Sequence, residues 1–222
     1  MDRPQALIFD VNETLLDLTD LRAVLSTVLG GAERLAEWFF RLLHGSVVAN
    51  ATDSFRSFET IGVEALRAVA LRQGRELSAD DAEELIAGFR SLPAHADVPA
   101  GLDRLAAAGF RLVALSNGSA AGIPAQLRNA GIIDRFEQIV SVEEVARFKP
   151  DRAPYENALR RTGVEPPAAL MVAAHDWDII GARAVGMPGA FITRPGVVWT
   201  VPHPPPELTP PDIGELAGAL GA

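Results

Sequence analysis

The sequence predicts an α/β fold, a doubly wound parallel sheet with an inserted helical cap. Three observations lead there. Five short apolar runs alternate with helical patterns along most of the chain. Polar clusters follow several of those runs abruptly, as at the carboxyl ends of parallel strands, where ligands sit. Between the first and second runs lies a long stretch with helical spacing and almost no strand signal.

The first run, residues 6–9, is continuous and apolar, the form of a strand buried on both faces, and stops at Asp10. Four sets of apolar residues follow at helical spacing: Leu21, Val24, Leu25 and Val28; Leu35, Trp38, Phe39 and Leu42; Phe55, Phe58 and Ile61; Ala82, Leu85, Ile86 and Phe89. His44, followed by Gly45 and Ser46, reads as a break or helix end, and His95 as a hinge or rim residue. The expected division is a core of residues 1–16 and 96–222 and a helical cap of residues 17–95, lying over the crevice. In the core, helices are expected at residues 99–108, 121–130, 153–161 and 179–185. Strands are expected at residues 111–115, ending in Ser116 and Asn117; 136–140, a weaker run; 170–174, ending in His175, Asp176, Trp177 and Asp178; and 189–193. The proline-dense segment near residues 201–211 can be neither helix nor central strand and is expected as extended surface chain.

Composition narrows the function. The 222 residues include 20 Lys and Arg against 29 Asp and Glu, a net charge of −9, which argues against nucleic-acid and anionic-membrane partners. With 48% apolar and 22% charged residues the chain should bury a sizeable core. Zero cysteines remove disulfides, thiolate nucleophiles and Cys-ligated zinc, and fit a reducing, cytoplasmic setting. The start of the sequence is too short for a secretory apolar region, and no run approaches the roughly 20 residues of a spanning helix.

Asp10 is the first candidate for chemistry. A carboxylate at the end of a buried strand, among the amides of a turn, can be held ionised and aimed as a nucleophile, forming an ester that water cleaves. The plain alternative is an Asp capping that turn. Ser116 and Asn117 offer a hydroxyl and an amide where a strand leads towards a helix, an anion cradle or simple helix capping. Lys149, followed by Pro150, reads either as a site cation or as a surface lysine at a helix start, and Tyr155, the sole tyrosine, as a partner or as packing. His175 is either a water-activating group or a hydrogen-bonding loop residue, and Trp177 a pocket wall.

Taken in order, Asp10, Ser116–Asn117, Lys149 and Asp178, with a helical stretch inserted after the first, resemble the four motifs of the haloacid dehalogenase superfamily, and within it the type II 2-haloacid dehalogenases. The likeness runs from residue 6 to about residue 196. It implies a hydrolase that cleaves the carbon–halogen bond of a small anionic 2-haloacid through an aspartyl ester, without metal or other cofactor; phosphatase or non-catalytic ligand binding are the alternatives. The resemblance makes Asp10, Lys149 and Asp178 catalytic, Asp178 acting with Lys149 and the hydrolytic water. It places Val11, Asn12, Ser116, Asn117, Tyr155, His175, Trp177 and Phe39 around the substrate, with Ser116 on its carboxylate and Asn117 near the halide. A homodimer is compatible with it, and the oligomeric state is left open.

Three departures refine this expectation. Phosphatases of the superfamily carry a second Asp two positions after the nucleophile, where this chain has Asn12, an amide that cannot protonate a leaving alkoxide; halide needs no proton. The plain alternative for Asn12 is a turn residue. Magnesium phosphatases hold an Asp four positions before Asp178, where this chain has Ala174; Asp176, two residues further on, is the acid that would have to replace it. The halide-receiving arginine of the dehalogenase cap falls at Phe39, with Arg41 two residues away on another helix face. Trp38, Phe39, Phe40, Phe55 and Phe58 either line a pocket in the cap or form its core.

Overall fold

In a computed structural model that describes residues 3–222, the chain forms five strands, all parallel, in the order β3-β2-β1-β4-β5. They are β1 (Ala6–Phe9), β2 (Arg111–Ser116), β3 (Gln138–Ser141), β4 (Ala169–Ala173) and β5 (Gly189–Phe191). Met1 and Asp2, the start of the expected core, lie outside the described residues. Strand β1 is central, paired with β2 on one side and β4 on the other, so the order of connection reverses at its carboxyl end and opens a crevice there.

Alternation along each strand builds two cores. Leu7 and Phe9 of β1, with Leu112, Ala114, Leu170 and Val172, face α5 (Val98–Ala107), α6 (Gly122–Asn129) and α9 (Ile213–Ala219). Ala6 and Ile8, with Val113, Leu115, Met171 and Ala173, face α7 (Arg152–Thr162) and α8 (Asp176–Ala184). A sheet covered on both sides explains why its strands read as unbroken apolar runs.

Between β1 and α5 stand α1 (Thr19–Leu29), α2 (Ala32–Ala51), α3 (Phe58–Arg72) and α4 (Ala79–Ala87). Ser57 and Ser78 cap α3 and α4 through their side chains, supplying acceptors for otherwise unpaired N–H groups. His44 is not at a helix end: it lies inside α2, which runs on through Gly45 and Ser46. Gly45 is required there by packing, since a Cβ would stand 2.7 Å from Ile61 Cγ2 of α3, and Ser46 bonds back to the Leu42 carbonyl. The ends of the insertion are laced together, with Asp17 N–H on the Pro93 carbonyl and His95 N–H on the Leu15 carbonyl.

Further contacts tie the insertion to the core away from those ends. Asn50 of α2 donates from Nδ2 to the Phe148 carbonyl at 2.9 Å and accepts from the Phe148 N–H at 2.9 Å, while Phe55 stacks on the Phe148 ring at 4.7 Å. Glu59 of α3 accepts from the hydroxyl and N–H of Ser119.

Some boundaries differ from expectation. The cluster at residues 176–178 forms the first turn of α8 instead of a loop. The proline-dense segment is extended but covers the sheet edge: Phe191 donates to the Leu208 carbonyl and Thr193 to the Pro210 carbonyl, because proline retains its acceptor although it has no donor. Helix α9 was not expected; Asp212 caps it, accepting from Glu215 N–H, and Ile213, Leu216 and Ala217 bury one face. No described helix is long and apolar enough to cross a membrane.

Candidate active site

Asp10 follows β1 and is fixed by its own N–H, which continues the ladder to the Val172 carbonyl at 3.0 Å. Its carboxylate is buried and fully engaged. Lys149 Nζ donates to Oδ1 at 2.8 Å, the Thr14 hydroxyl donates to Oδ2 at 2.7 Å, and His175 Nδ1 stands 3.1 Å from Oδ2. Burial alone would raise this carboxyl. The Lys149 charge and then the His175 contact outweigh it and hold Asp10 well below the usual carboxylate range.

Lys149 is wholly buried and lies between two carboxylates. Besides Asp10, Nζ donates to Asp178 Oδ2 at 2.6 Å and to the Leu115 carbonyl at 3.0 Å. Burial opposes its charge, yet Asp10 and then Asp178 raise its pKa above the ordinary lysine value. Its main-chain N–H donates to Asn117 Oδ1 at 2.9 Å, and the Lys149–Pro150 bond is cis. Asp178, entirely buried in the first turn of α8, accepts from the Tyr155 hydroxyl at 2.6 Å on its other oxygen. Burial raises the Asp178 carboxyl, Lys149 lowers it less, and the neighbouring Asp10 charge adds to the rise.

The structure thus gathers Asp10, Lys149 and Asp178 into one chain of contacts, with Ser116, Asn117, Asn12, His175, Trp177 and Phe39 around the same small cavity of about 30 Å³. The Ser116 Oγ accepts from Gly118 N–H at 3.1 Å. The Asn12 Oδ1 accepts from Gln126 Nε2 at 3.2 Å. Among the described residues, the main-chain N–H groups of Val11, Asn12 and Asn117 meet no acceptor. Two expectations change. The Val11 side chain belongs to the apolar core, so only its main chain is available to a ligand. Tyr155 does not line the cavity; it is fully buried behind Asp178, where Gly181 leaves just enough room for its ring.

Phe39 faces the cavity and stacks on His175 with centroids 6.1 Å apart, and Trp177 stacks on the same imidazole at 5.0 Å. Arg41 points elsewhere, donating to Glu37 at 2.9 Å. Asp176 is also turned away: its Oδ2 accepts from the Thr200 N–H and hydroxyl and from the Val201 N–H. A hard divalent cation finds no fitting set here. Both Asp10 oxygens already accept hydrogen bonds, Lys149 occupies the position between the two carboxylates, and Ala174 contributes only an N–H, to Thr14 Oγ1.

Three residues escaped the sequence reading. Glu13 carries no chemistry that its place in the sequence announces, yet its Oε2 stands 2.8 Å from His175 Nε2 and its Oε1 pairs with Arg22. It adopts a left-handed backbone, φ 64°, which turns its side chain back to the site and which nothing in a single sequence announces. Thr14 is visible only as a hydroxyl residue four places after Asp10. Arg194, nearly buried, supports the turn by donating to the Thr14 carbonyl while pairing with Asp97 at 2.6 Å.

Comparison with known proteins gives concordant matches. The family model described as haloacid dehalogenase-like hydrolase matches residues 4–186. The (S)-2-haloacid dehalogenase of Pseudomonas sp. strain YL is 31% identical over 201 residues, covering 90% of this chain and 87% of the relative. The (S)-2-haloacid dehalogenase of Pseudomonas fluorescens is 30% identical over 198 residues, covering 87% and 86%. The structure of L-2-haloacid dehalogenase from Xanthobacter autotrophicus with chloropropionic acid covalently bound superposes with a TM-score of 0.90 at 21% identity, over 99% of each chain.

Proposed function

Because the chain belongs to the haloacid dehalogenase-like hydrolases, we propose that it hydrolyses the carbon–halogen bond of a small 2-haloacid at Asp10, without a metal. One observation carries this reading: an ionised carboxylate at the β1 end is held by a buried lysine, while the position two residues on is an amide already tied to Gln126. That combination suits displacement of a leaving group that needs no proton. By likeness to the (S)-2-haloacid dehalogenases, the (S)-enantiomer is the expected substrate.

In this reading a carboxylate oxygen of Asp10 bonds to C2 as the carbon–halogen bond breaks, and halide departs with the bonding pair. The substrate carboxylate is received by the unpaired N–H groups of Val11, Asn12 and Asn117 and by the Ser116 hydroxyl. Water then adds to the Asp10 carbonyl carbon. His175 Nδ1, 3.1 Å from Asp10 Oδ2, is within reach of that water's proton, and Glu13 holds the opposite nitrogen. Collapse of the adduct breaks the bond between the Asp10 carbonyl carbon and the C2 oxygen; the proton taken from water passes from His175 to that departing oxygen, giving the 2-hydroxyacid, and the second proton of the water is lost to solvent as Asp10 returns ionised with one oxygen from water. Lys149 and Asp178, both closed off from the cavity, set the charge on Asp10 instead of handling water.

The test is a panel of 2-haloacids and phosphate monoesters with halide and phosphate release read in parallel, with and without EDTA or added magnesium. Halide release indifferent to EDTA is expected, and a single turnover in oxygen-18 water should label Asp10. Magnesium-dependent phosphate release well above halide release, or label confined to product, would overturn the reading.

A further inference from the structure

The cavity at Asp10 holds about 30 Å³, roughly one water's share of liquid volume. The carboxylate, C2 and halogen of a 2-haloacid already exceed that volume, so a bound substrate reaches into an adjoining space, and a substituent on C2 reaches further into it. Two such spaces border the site. One, of about 300 Å³, shares Asn12, Leu42, Phe58 and Phe89 with it but presents Glu59, Glu64 and Glu83 against one cation, Arg90. The Glu59 Oε2 is already buried there without a partner, so an apolar group would leave that carboxylate oxygen uncompensated where a donor could satisfy it. The other is a groove of about 760 Å³ between α1 and α2, sharing Glu13, Leu18, Phe39, Leu43 and Phe89 with the site. Its walls are mainly leucine and aromatic side chains, and its carboxylate and guanidinium, Glu13 and Arg22, neutralise each other. The partition between groove and site is Phe39, held by aromatic stacking on His175 and a tilted contact with Trp38, with no hydrogen bond to break.

We propose that the α1–α2 groove receives the apolar substituent on C2, so that this site prefers 2-haloacids with a medium-length alkyl chain over haloacetate or 2-halopropionate. The proposal rests on the dehalogenase reading above and assigns the substrate class within it. The carboxylate and the reacting carbon stay at Asp10, and the chain passes the edge of Phe39 to lie along Leu18, Leu21, Leu25 and Leu35. Each methylene that leaves water for such walls is worth up to about a fourfold gain in kcat/KM.

The experiment measures halide release from a 2-bromoalkanoate series of three to ten carbons, alongside calorimetric binding of the halogen-free acids propionate and octanoate. Rising kcat/KM from four to eight carbons, totalling about 10²-fold, and tighter binding of octanoate are expected. Ala36→Trp, placed on the solvent-open wall of the groove, should reduce the ratio of eight-carbon to three-carbon kcat/KM at least tenfold. Turnover of the three-carbon acid with a flat or falling chain-length profile would overturn the groove assignment and leave the dehalogenase reading standing. No halide from any chain length would overturn that reading, and the substrate assignment with it. Octanoate binding no tighter than propionate, measured without turnover, would overturn the groove on its own.

Discussion

Replacing Lys149 with Met keeps the length of the side chain and removes its charge from between Asp10 Oδ1, at 2.8 Å, and Asp178 Oδ2, at 2.6 Å. Two buried carboxylates then face each other with no cation, and the Leu115 carbonyl loses its donor. Stripping one partner from a buried ionic group costs about 3–5 kcal/mol. The protein can relieve much of that by protonating a carboxyl, because an adjacent cation is worth about 1–3 pKa units and burial works in the opposite sense. The pH dependence should therefore change sign. In the wild type Asp10 is held low, so its contribution is complete at neutral pH and lost only as pH falls through its depressed folded pKa. In Lys149→Met a carboxyl with a raised folded pKa stabilises below its unfolded value near 3.9, and that contribution is lost as pH rises, by up to about 1.4 kcal/mol per pH unit. Urea unfolding at pH 5 and pH 8 should show a larger deficit at pH 8. With its cation gone and burial unopposed by Lys149, the Asp10 carboxyl is raised and less of the nucleophile is ionised, so halide release should fall by about tenfold or more. A variant as stable as wild type at both pH values, with turnover reduced less than tenfold, would refute the assignment of Lys149 as the cation that keeps Asp10 charged.

Gly181→Ala would set a Cβ 2.5 Å from the Tyr155 hydroxyl and 2.8 Å from Pro150 Cβ, forcing the ring off Asp178; unfolding should show a loss of about 1–3 kcal/mol, and kinetics a fall in kcat with KM little changed. His95 is held below the ordinary imidazole value by burial and then by Arg194, so the folded state resists protonation. Its contribution is present above the unfolded pKa near 6.5 and is lost as pH falls through the depressed folded value. His95→Gln, which keeps a donor for the Glu13 carbonyl, should remove that slope from melts compared at pH 5.5 and 7.5.

The sheet and the four motif positions were legible because their signals are local. A strand buried on both faces writes itself as an apolar run, and Asp10, Ser116 and the residues from His175 onward mark where each run stops. Phe39 was legible by register, and the structure turns it to the cavity while Arg41 pairs with Glu37. What the sequence concealed acts at long range or through backbone geometry. Arg194 meets the Thr14 carbonyl across 180 residues, and Glu13 reaches His175 because its own φ is positive. Tyr155 was recognisable as a residue near Lys149, but only the packing of α7 on α8 decides that its hydroxyl points at Asp178 and away from the cavity. The continuity of α2 through Gly45 likewise depends on Ile61 of another helix.

The two-point grip of Asn50 on Phe148 has a consequence for what holds the nucleophile charged. The peptide that joins Phe148 to Lys149 is held on one side by an amide of the insertion and on the other by Asn117 of the core. It is a strut common to both bodies, and the side chain it carries is the one that keeps Asp10 ionised. The residue that charges the nucleophile is thus positioned from both sides of the crevice, and neither the insertion nor the core alone supplies all of its backbone anchors.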